Sequence, residues 1–277
     1  MKVHRYSEAG AFLQATESWL ARAEVENNVI LSIARSIADG SRVLREPPYF
    51  AAAIDGDEIV CCAARTPPHV LLVTNGTSNG LAALAGDVFD AMGSVPGVVG
   101  PLSAPAAFAA AWLPLTGGRG SVRMRQRLYK IERVDAGLAE MNGRLREATP
   151  RDRDLALQWC TAFAREAVPN NPSDAEDTVD RHLKCGTLYL WDDGRPVTMC
   201  ASPAGSARIN LVYTPPDLRR RGYATAAVAA LSRQLLESGR RYCCLYADLA
   251  NPISNSIYQR IGYRPLRDFE EYEFAAQ

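Results

Sequence analysis

The stretch that decides the reading is Ile209-Asn210-Leu211-Val212-Tyr213-Thr214-Pro215-Pro216-Asp217-Leu218-Arg219-Arg220-Arg221-Gly222-Tyr223-Ala224-Thr225. Its apolar start predicts a strand ending at Tyr213 or Thr214. Two prolines break that strand, and three arginines lead to Gly222. From Tyr223 the spacing of Ala226, Ala227, Val228 and Leu231 predicts a helix. The first N–H groups of such a helix lack internal partners and carry the positive end of its dipole. Gly222 lets backbone approach a ligand, and Ala224 keeps the first turn small. Two readings follow. One is an anion site that would seat a pyrophosphate, the arginines adding charge-assisted hydrogen bonds. The other is a solvated basic turn before an ordinary helix. Basic side chains at a helix N-terminus are unfavourable unless an anion answers them, so the strand–loop–helix setting favours the first.

Working outward, the preceding segments predict a helix over Asp152–Glu166, a helix over Ala175–Lys184, and strands over Thr187–Trp191 and Arg195–Ser202. Asp192-Asp193-Gly194 is a hairpin signal between those strands. Ala207–Tyr213 is a third strand. After the helix Tyr223–Glu237 come a strand over Arg241–Asp248, a short helix over Ser254–Ile261 and a closing strand over Tyr263–Phe274.

The first half repeats this order. Residues 7–38 have helical spacing, with Gly40 as a stop. Strands are predicted over Tyr49–Asp55, Glu58–Arg65 and His69–Thr74, the first two joined by Gly56-Asp57. A helix over Leu81–Met92, a strand at Val98-Val99, a helix over Ala104–Leu113 and strand character over Val122–Glu132 follow. Two helices, three strands, helix, strand, helix, strand thus occur twice, which a tandem repeat of one α+β unit explains. The polar segment from Asp135 to Thr149 is the expected boundary, giving domains 1–137 and 143–277.

A chain of 277 residues is long enough for two such cores, and 47 % apolar with 22 % charged residues is ordinary globular composition. Acidic and basic residues balance at 31 each. No global basic field exists for nucleic acid or an anionic membrane, so neither is an expected partner. The longest apolar runs are too short to span a bilayer, and the N-terminus does not read as a signal peptide. The seven cysteines include no CxxC pair, and Cys61-Cys62 and Cys243-Cys244 lie in apolar strands where neighbours face opposite sides. They read as buried thiols in a reducing cytoplasm. His4, His69 and His182 are dispersed and suggest no metal site.

The Arg219 turn resembles the GNAT superfamily of CoA-dependent N-acyltransferases, whose pattern is Gln or Arg, two residues, Gly, one residue, Gly or Ala. Here it reads Arg219, Gly222, Ala224. A second stretch, Asn251 to Tyr263, is similar to the family's late motif at Asn251, Tyr258, Gly262 and Tyr263, in the right order and separation. The resemblance covers residues from about 145 to 277. For the first half it extends only to element order. It implies an α+β fold of tandem GNAT-like domains, each a mixed, mostly antiparallel sheet flanked by helices, the first degenerate.

The resemblance implies acetyl-CoA as acyl donor, with no metal, and attack by a primary amine in a ternary complex. It implies that Val212, Tyr213 and Thr214 bind the pantetheine arm and acyl carbonyl, and that Arg219, Arg220, Arg221, Gly222, Tyr223, Ala224, Thr225 and Asn251 complete the CoA site. Tyr258 is then the candidate acid for the departing thiolate. Glu166, at the end of the first helix of the domain, is the leading candidate for general base. Asp248 is a second, and a water chain would also serve. Each of these side chains also has a bland reading, as core tyrosine or surface carboxylate. The acceptor is expected to be a small-molecule or peptide amine. A non-catalytic acyl-CoA sensor and an aminoacyl transferase are the other classes that fit the pattern. The equivalent turn of the first half, Asn75 to Leu81, has no basic residue, so CoA binding is expected in the second half alone.

Overall fold

The structure, a computed structural model, describes residues 1–135, 141–169, 174–203 and 205–275. By internal contact the chain divides into two units, Met1–Arg127 together with Arg267–Gln277, and Leu128–Leu266.

In the first unit β1 (Lys2–Tyr6), β2 (Tyr49–Asp55), β3 (Glu58–Arg65) and β4 (Leu71–Val73) pair antiparallel in that order. β4 pairs parallel with β5 (Gly97–Pro101). β5 then pairs antiparallel with β12 (Arg264–Ala275), from Phe269 opposite Pro101 to Glu273 opposite Gly97. Strand alternation divides the core. Phe50, Ala52 and Cys62 face α1 (Ala9–Leu20) and α2 (Asn28–Ala38), burying Phe12, Leu20, Ile30 and Leu31. Ala51, Ala53 and Cys61 face α3 (Ser78–Met92) and α4 (Ala104–Thr116), burying Leu84, Phe108 and Trp112. The Cys61-Cys62 pair thus splits between two cores, as its place on a strand predicts. Arginines on β6 (Arg119–Ile131) meet acids on β12. Arg123 pairs with Glu271 at 2.6 Å, Arg125 with Glu270 at 2.9 Å, and Arg127 with Asp268 through two nitrogens at 2.7 and 2.9 Å.

In the second unit β7 (Arg144–Glu147), β8 (Leu188–Asp192), β9 (Pro196–Ala201) and β10 (Asn210–Tyr213) form an antiparallel sheet with β10 at its edge. α5 (Arg153–Ala167) and α6 (Ala175–Lys184) cover one face, packing Trp159, Cys160 and Val179 against Leu190, Met199 and Tyr213. α7 (Tyr223–Glu237) and α8 (Pro252–Ile261) belong to the other core, with Ile209, Val228, Leu231, Leu245 and Tyr258. β11 (Cys243–Asp248) lies beside β6, whose residues from Leu128 on belong to this unit.

Both halves follow the order β-α-α-β-β-β-α-β-α-β, so the α+β tandem architecture is present. The spacing of apolar residues locates α6 and α7 to the residue. It misses β1 and β7, whose polar sequences Lys2-Val3-His4-Arg5-Tyr6 and Arg144-Leu145-Arg146-Glu147 carry no apolar run because each strand is mostly exposed or half-buried. The expected boundary between 137 and 143 falls partly on 138–140, outside the described residues. The two units are not the two expected halves end to end. β6 and β12, at 13 and 12 residues, each contribute one end to each unit. Six cysteines are buried, and Cys185 is exposed.

Candidate active site

The sheet of the second unit comes apart between β10 and β11. Among the described residues they are tied by one parallel bridge just before β10, Arg208 opposite Cys244, with the Ile209 N–H donating to the Cys244 carbonyl at 2.8 Å and the Cys244 N–H to the Ala207 carbonyl at 3.0 Å. Beyond Ile209, β10 pairs only with β9, Asn210 opposite Ala201 and Tyr213 opposite Met199, with a bulge between them where Leu211 takes φ +51°. A bulge re-aims backbone, and a strand edge without a partner leaves N–H groups for a ligand. The equivalent pair in the first unit stays closed, Leu71 opposite Val98 and Leu72 opposite Val99.

From the end of β10, Pro216–Leu218 make one 3-10 turn, and the arginines follow. Gly222 is the N-cap of α7 at φ +88°, where a side chain is strained. Among the described residues no side chain caps the helix, so its first N–H groups are left for another partner. Among the described residues, a Cβ on Gly222 would meet only the terminal methyl of Met141, 2.5 Å away. The corresponding turn of the first unit is sealed. The Thr77 hydroxyl accepts from the Gly80 N–H at 3.1 Å, and a Cβ on Gly80 would lie 2.8 Å from Val60 Cγ2 and 2.9 Å from Cys61 Sγ. Glycine there serves helix-on-strand packing.

The arginines divide by partner. Arg219 pairs with Glu166, donates through Nε to the Thr214 carbonyl at 2.9 Å, and lies over the Tyr213 ring. The Tyr213 hydroxyl donates to the other Glu166 oxygen at 3.2 Å. Glu166, expected as a base, therefore holds the loop to β10, with both oxygens engaged. Arg221 donates to the Asp217 carbonyl at 3.1 Å, and Arg220 is exposed at φ +63°. Tyr223 donates to Asp193 Oδ2 at 3.1 Å, tying the first turn of α7 to the β8–β9 hairpin. Ala224 and Thr225 stand in the uncapped first turn, half-buried. Val212 packs toward the α7 core, and the Thr214 hydroxyl bonds that of Thr198 at 2.8 Å.

The late motif forms the neighbouring wall. Asn251 caps α8, its side chain accepting from the Ser254 N–H at 3.1 Å. Asp248 accepts from the Ala250 N–H at 2.9 Å and so shapes the turn. Tyr258 is buried, its ring 6.3 Å from that of Tyr129 and 6.2 Å from that of Tyr263. Burial pushes its phenol up to about 12. Its hydroxyl makes no hydrogen bond among the described residues. Two residues here escaped the sequence reading. Asn255 donates to the Asp248 and Asn251 carbonyls at 2.8 and 2.7 Å and accepts from the Tyr129 hydroxyl at 2.8 Å. Asn255 sits inside the motif and was open to detection. Tyr129, more than a hundred positions away, carried no local signal. Elsewhere His182, on α6, is buried and held at about 4 by burial and the charges of Arg181 and Arg208.

An open strand edge, a bulge and an uncapped helix start beside a positive-φ glycine fit the parts of an acyl-CoA that need amide donors and room for pyrophosphate. Among the described residues no group of three His, Cys, Asp or Glu could hold a metal, and no helix is long and apolar enough to cross a membrane.

The FR47-like protein family matches residues 188–274, from β8 into β12. No curated protein sequence matches the chain. Among solved structures, a Drosophila protein is similar over 99 % of this chain and 98 % of its own, at 10 % identity and TM-score 0.70. A GCN5-related N-acetyltransferase from Sphaerobacter thermophilus is similar over 98 % and 94 %, at 16 % identity and TM-score 0.60. A tandem GNAT protein from the clavulanic acid biosynthesis pathway is similar over 99 % and 98 %, at 12 % identity and TM-score 0.56. The chain therefore has the tandem GNAT fold, and its C-terminal region carries the pattern of the GNAT-related FR47-like family.

Proposed function

We propose that the second unit transfers an acyl group, acetyl in the first instance, from acyl-CoA to a primary amine by direct attack in a ternary complex. The observation that carries this reading is the parting of β10 from β11 directly beside the uncapped start of α7. The amine nitrogen adds to the thioester carbonyl, the C–S bond breaks, one proton leaves nitrogen, and the products are an amide and the free CoA thiol. An N–H on the open edge of β10 polarises the carbonyl as charge gathers on its oxygen. The backbone from Gly222 to Thr225 takes the pyrophosphate, with Arg219, Arg220 and Arg221 around it.

Tyr258 acts at sulfur. A phenol raised to about 12 stays neutral at working pH and keeps its O–H as a donor. Thiols are stronger acids than a phenol so raised (a free cysteine titrates near about 8.5), so full proton transfer to the thiolate runs uphill and its contribution is a hydrogen bond to the leaving sulfur. Glu166 is assigned a positioning role, since Arg219 and Tyr213 occupy its oxygens, and water carries the amine proton away.

The test is calorimetric titration with CoA followed by thiol release from acetyl-CoA over a broad amine panel, for wild type and Tyr258→Phe. The expectation is tight CoA binding by both and turnover reduced roughly 10²-fold in the variant, the scale of one lost transition-state donor. CoA binding without turnover on any amine, and with no effect of Tyr258→Phe, identifies a sensor. No CoA binding overturns the reading.

A further inference from the structure

Among the described residues of the second unit, two buried polar atoms have no hydrogen-bond partner, and they sit two residues apart where the chain enters β10: the Nε of Arg208, a donor, and the Oδ1 of Asn210, an acceptor. Such groups are costly to leave unmade. Ile209, between them, points into the α7 core. By alternation Arg208 and Asn210 face the side covered by α5 and α6, where Leu211 and Tyr213 also pack. Asn210 is the last residue before the bulge, next to the backbone assigned above to the acyl carbonyl.

We propose that the acceptor is an amine bearing a carboxylate, its nitrogen donating to Asn210 and its carboxylate held by Arg208 and Arg181. The inference rests on the acyl-transfer reading.

Arg181 enters from α6. It is half-buried, and the charge of Arg208 acts on it, as both charges act on His182. Burial lowers the Arg181 pKa, as expected for a guanidinium held from water. Among the described residues no ion pair closes on Arg181 or Arg208. Beside the thiols of Cys185 and Cys160, the carboxylate that acts on Arg181 is Asp177, one turn earlier on α6. His182 is neutral at working pH, so two guanidiniums against one carboxylate leave a single positive charge. That matches a carboxylate, and a phosphate dianion would overfill it. Guanidinium forks also suit the planar carboxylate. Asn210 Oδ1 completes the arrangement chemically. A neutral amine donates one N–H to it and keeps its lone pair for the thioester carbonyl. That amine nitrogen bonds to the carbonyl carbon, sulfur departs with the C–S electron pair, and the proton lost from nitrogen ends on the thiol through water.

The experiment measures initial rates with acetyl-CoA for α-, β- and γ-amino acids, each against its amide, with aminomethylphosphonate as the phosphate-like arm. Full-length wild type, Arg208→Gln, Arg208→Lys and Arg181→Gln are compared, and CoA affinity is measured by calorimetry for each. The expected result is at least a tenfold preference in kcat/KM for an acid over its amide. In Arg208→Gln and Arg181→Gln the acceptor KM rises about tenfold or more, with kcat and CoA affinity within about twofold, and Arg208→Lys recovers part of the loss. If CoA binds and no acid outperforms its amide, including the case where no acid is turned over, the inference fails. It fails equally if the glutamine variants keep the wild-type preference or if the phosphonate is the favoured anion. Absence of CoA binding in wild type is a different result, which removes the acyl-transfer reading itself.

Discussion

At the residue scale the same side-chain chemistry acquires opposite meanings from burial. Tyr213 and Tyr258 are both tyrosines beside the proposed site, but the first spends its hydroxyl on Glu166 and the second, among the described residues, keeps its hydroxyl uncommitted. His182 shows what burial does to a base. Free histidine titrates near 6.5, and here it is held at about 4 with its Nδ1 2.7 Å from the Thr187 hydroxyl. Between those two values the unfolded chain binds a proton that the folded protein refuses, so stability falls as pH drops through that window. The expected loss from this one residue is about 2 kcal/mol between pH 7 and pH 5. Urea midpoints at the two pH values measure it. His182→Gln should flatten the difference, and an unchanged slope in that variant assigns the effect to other groups.

At the scale of elements, two glycines in equivalent turns separate an open helix start from a closed one. Gly222 holds a positive φ with only a flexible methionine methyl near it, whereas Gly80 is wedged against Val60 and Cys61 under a helix already capped by Thr77. Gly80→Ala should therefore cost about 1–3 kcal/mol in thermal or urea unfolding through overpacking and leave CoA affinity unchanged. Gly222→Ala, strained by about 1 kcal/mol in its own turn, should weaken CoA binding roughly tenfold because it shifts the amides that hold pyrophosphate. Equal losses of affinity in both variants would place a nucleotide site in each unit. This contrast was half legible in the sequence. The basic turn before Tyr223 and the missing basic residues near Gly80 stood out, because capping and dipole rules act over a few positions. The parting of β10 and β11 was hidden. Val212 and Leu72 are both apolar strand residues, and nothing local tells which strand has lost its neighbour. The unpaired atoms of Arg208 and Asn210 were hidden for the same reason, since being without a partner is a property of surroundings.

At the scale of the molecule, the repeat was readable and the pairing was not. Each half folds into ten elements in one order, and the nine that apolar spacing marks are enough to find the duplication. Two strands of similar length and character, β6 and β12, offer no local clue to which unit each end joins. Their membership has a consequence that domain dissection tests. Residues 267–275 supply the first unit with a strand against β5, with the three acid partners of Arg123, Arg125 and Arg127, and with Phe274, whose ring stacks 5.8 Å from Trp112 and 6.5 Å from Phe108. Residues 128–135 supply the second unit with Tyr129, which holds Asn255, and with the Asp135 carboxylate packed against Gly262. Fragments 1–137 and 143–277 would look natural from sequence alone, yet each lacks a buried strand end belonging to its own core. Expressed separately, both are expected to lack a cooperative thermal transition, and 143–277 is expected to bind CoA at least tenfold more weakly than the full chain. Truncation after Leu266 isolates the first effect. It should leave CoA titration of the second unit close to wild type while amide exchange in β4 and β5 rises toward that of an unfolded chain, because an interior strand exposed to water loses both its ladder and its cover. Protection of β5 undiminished by that truncation would show that the first unit closes its sheet without β12.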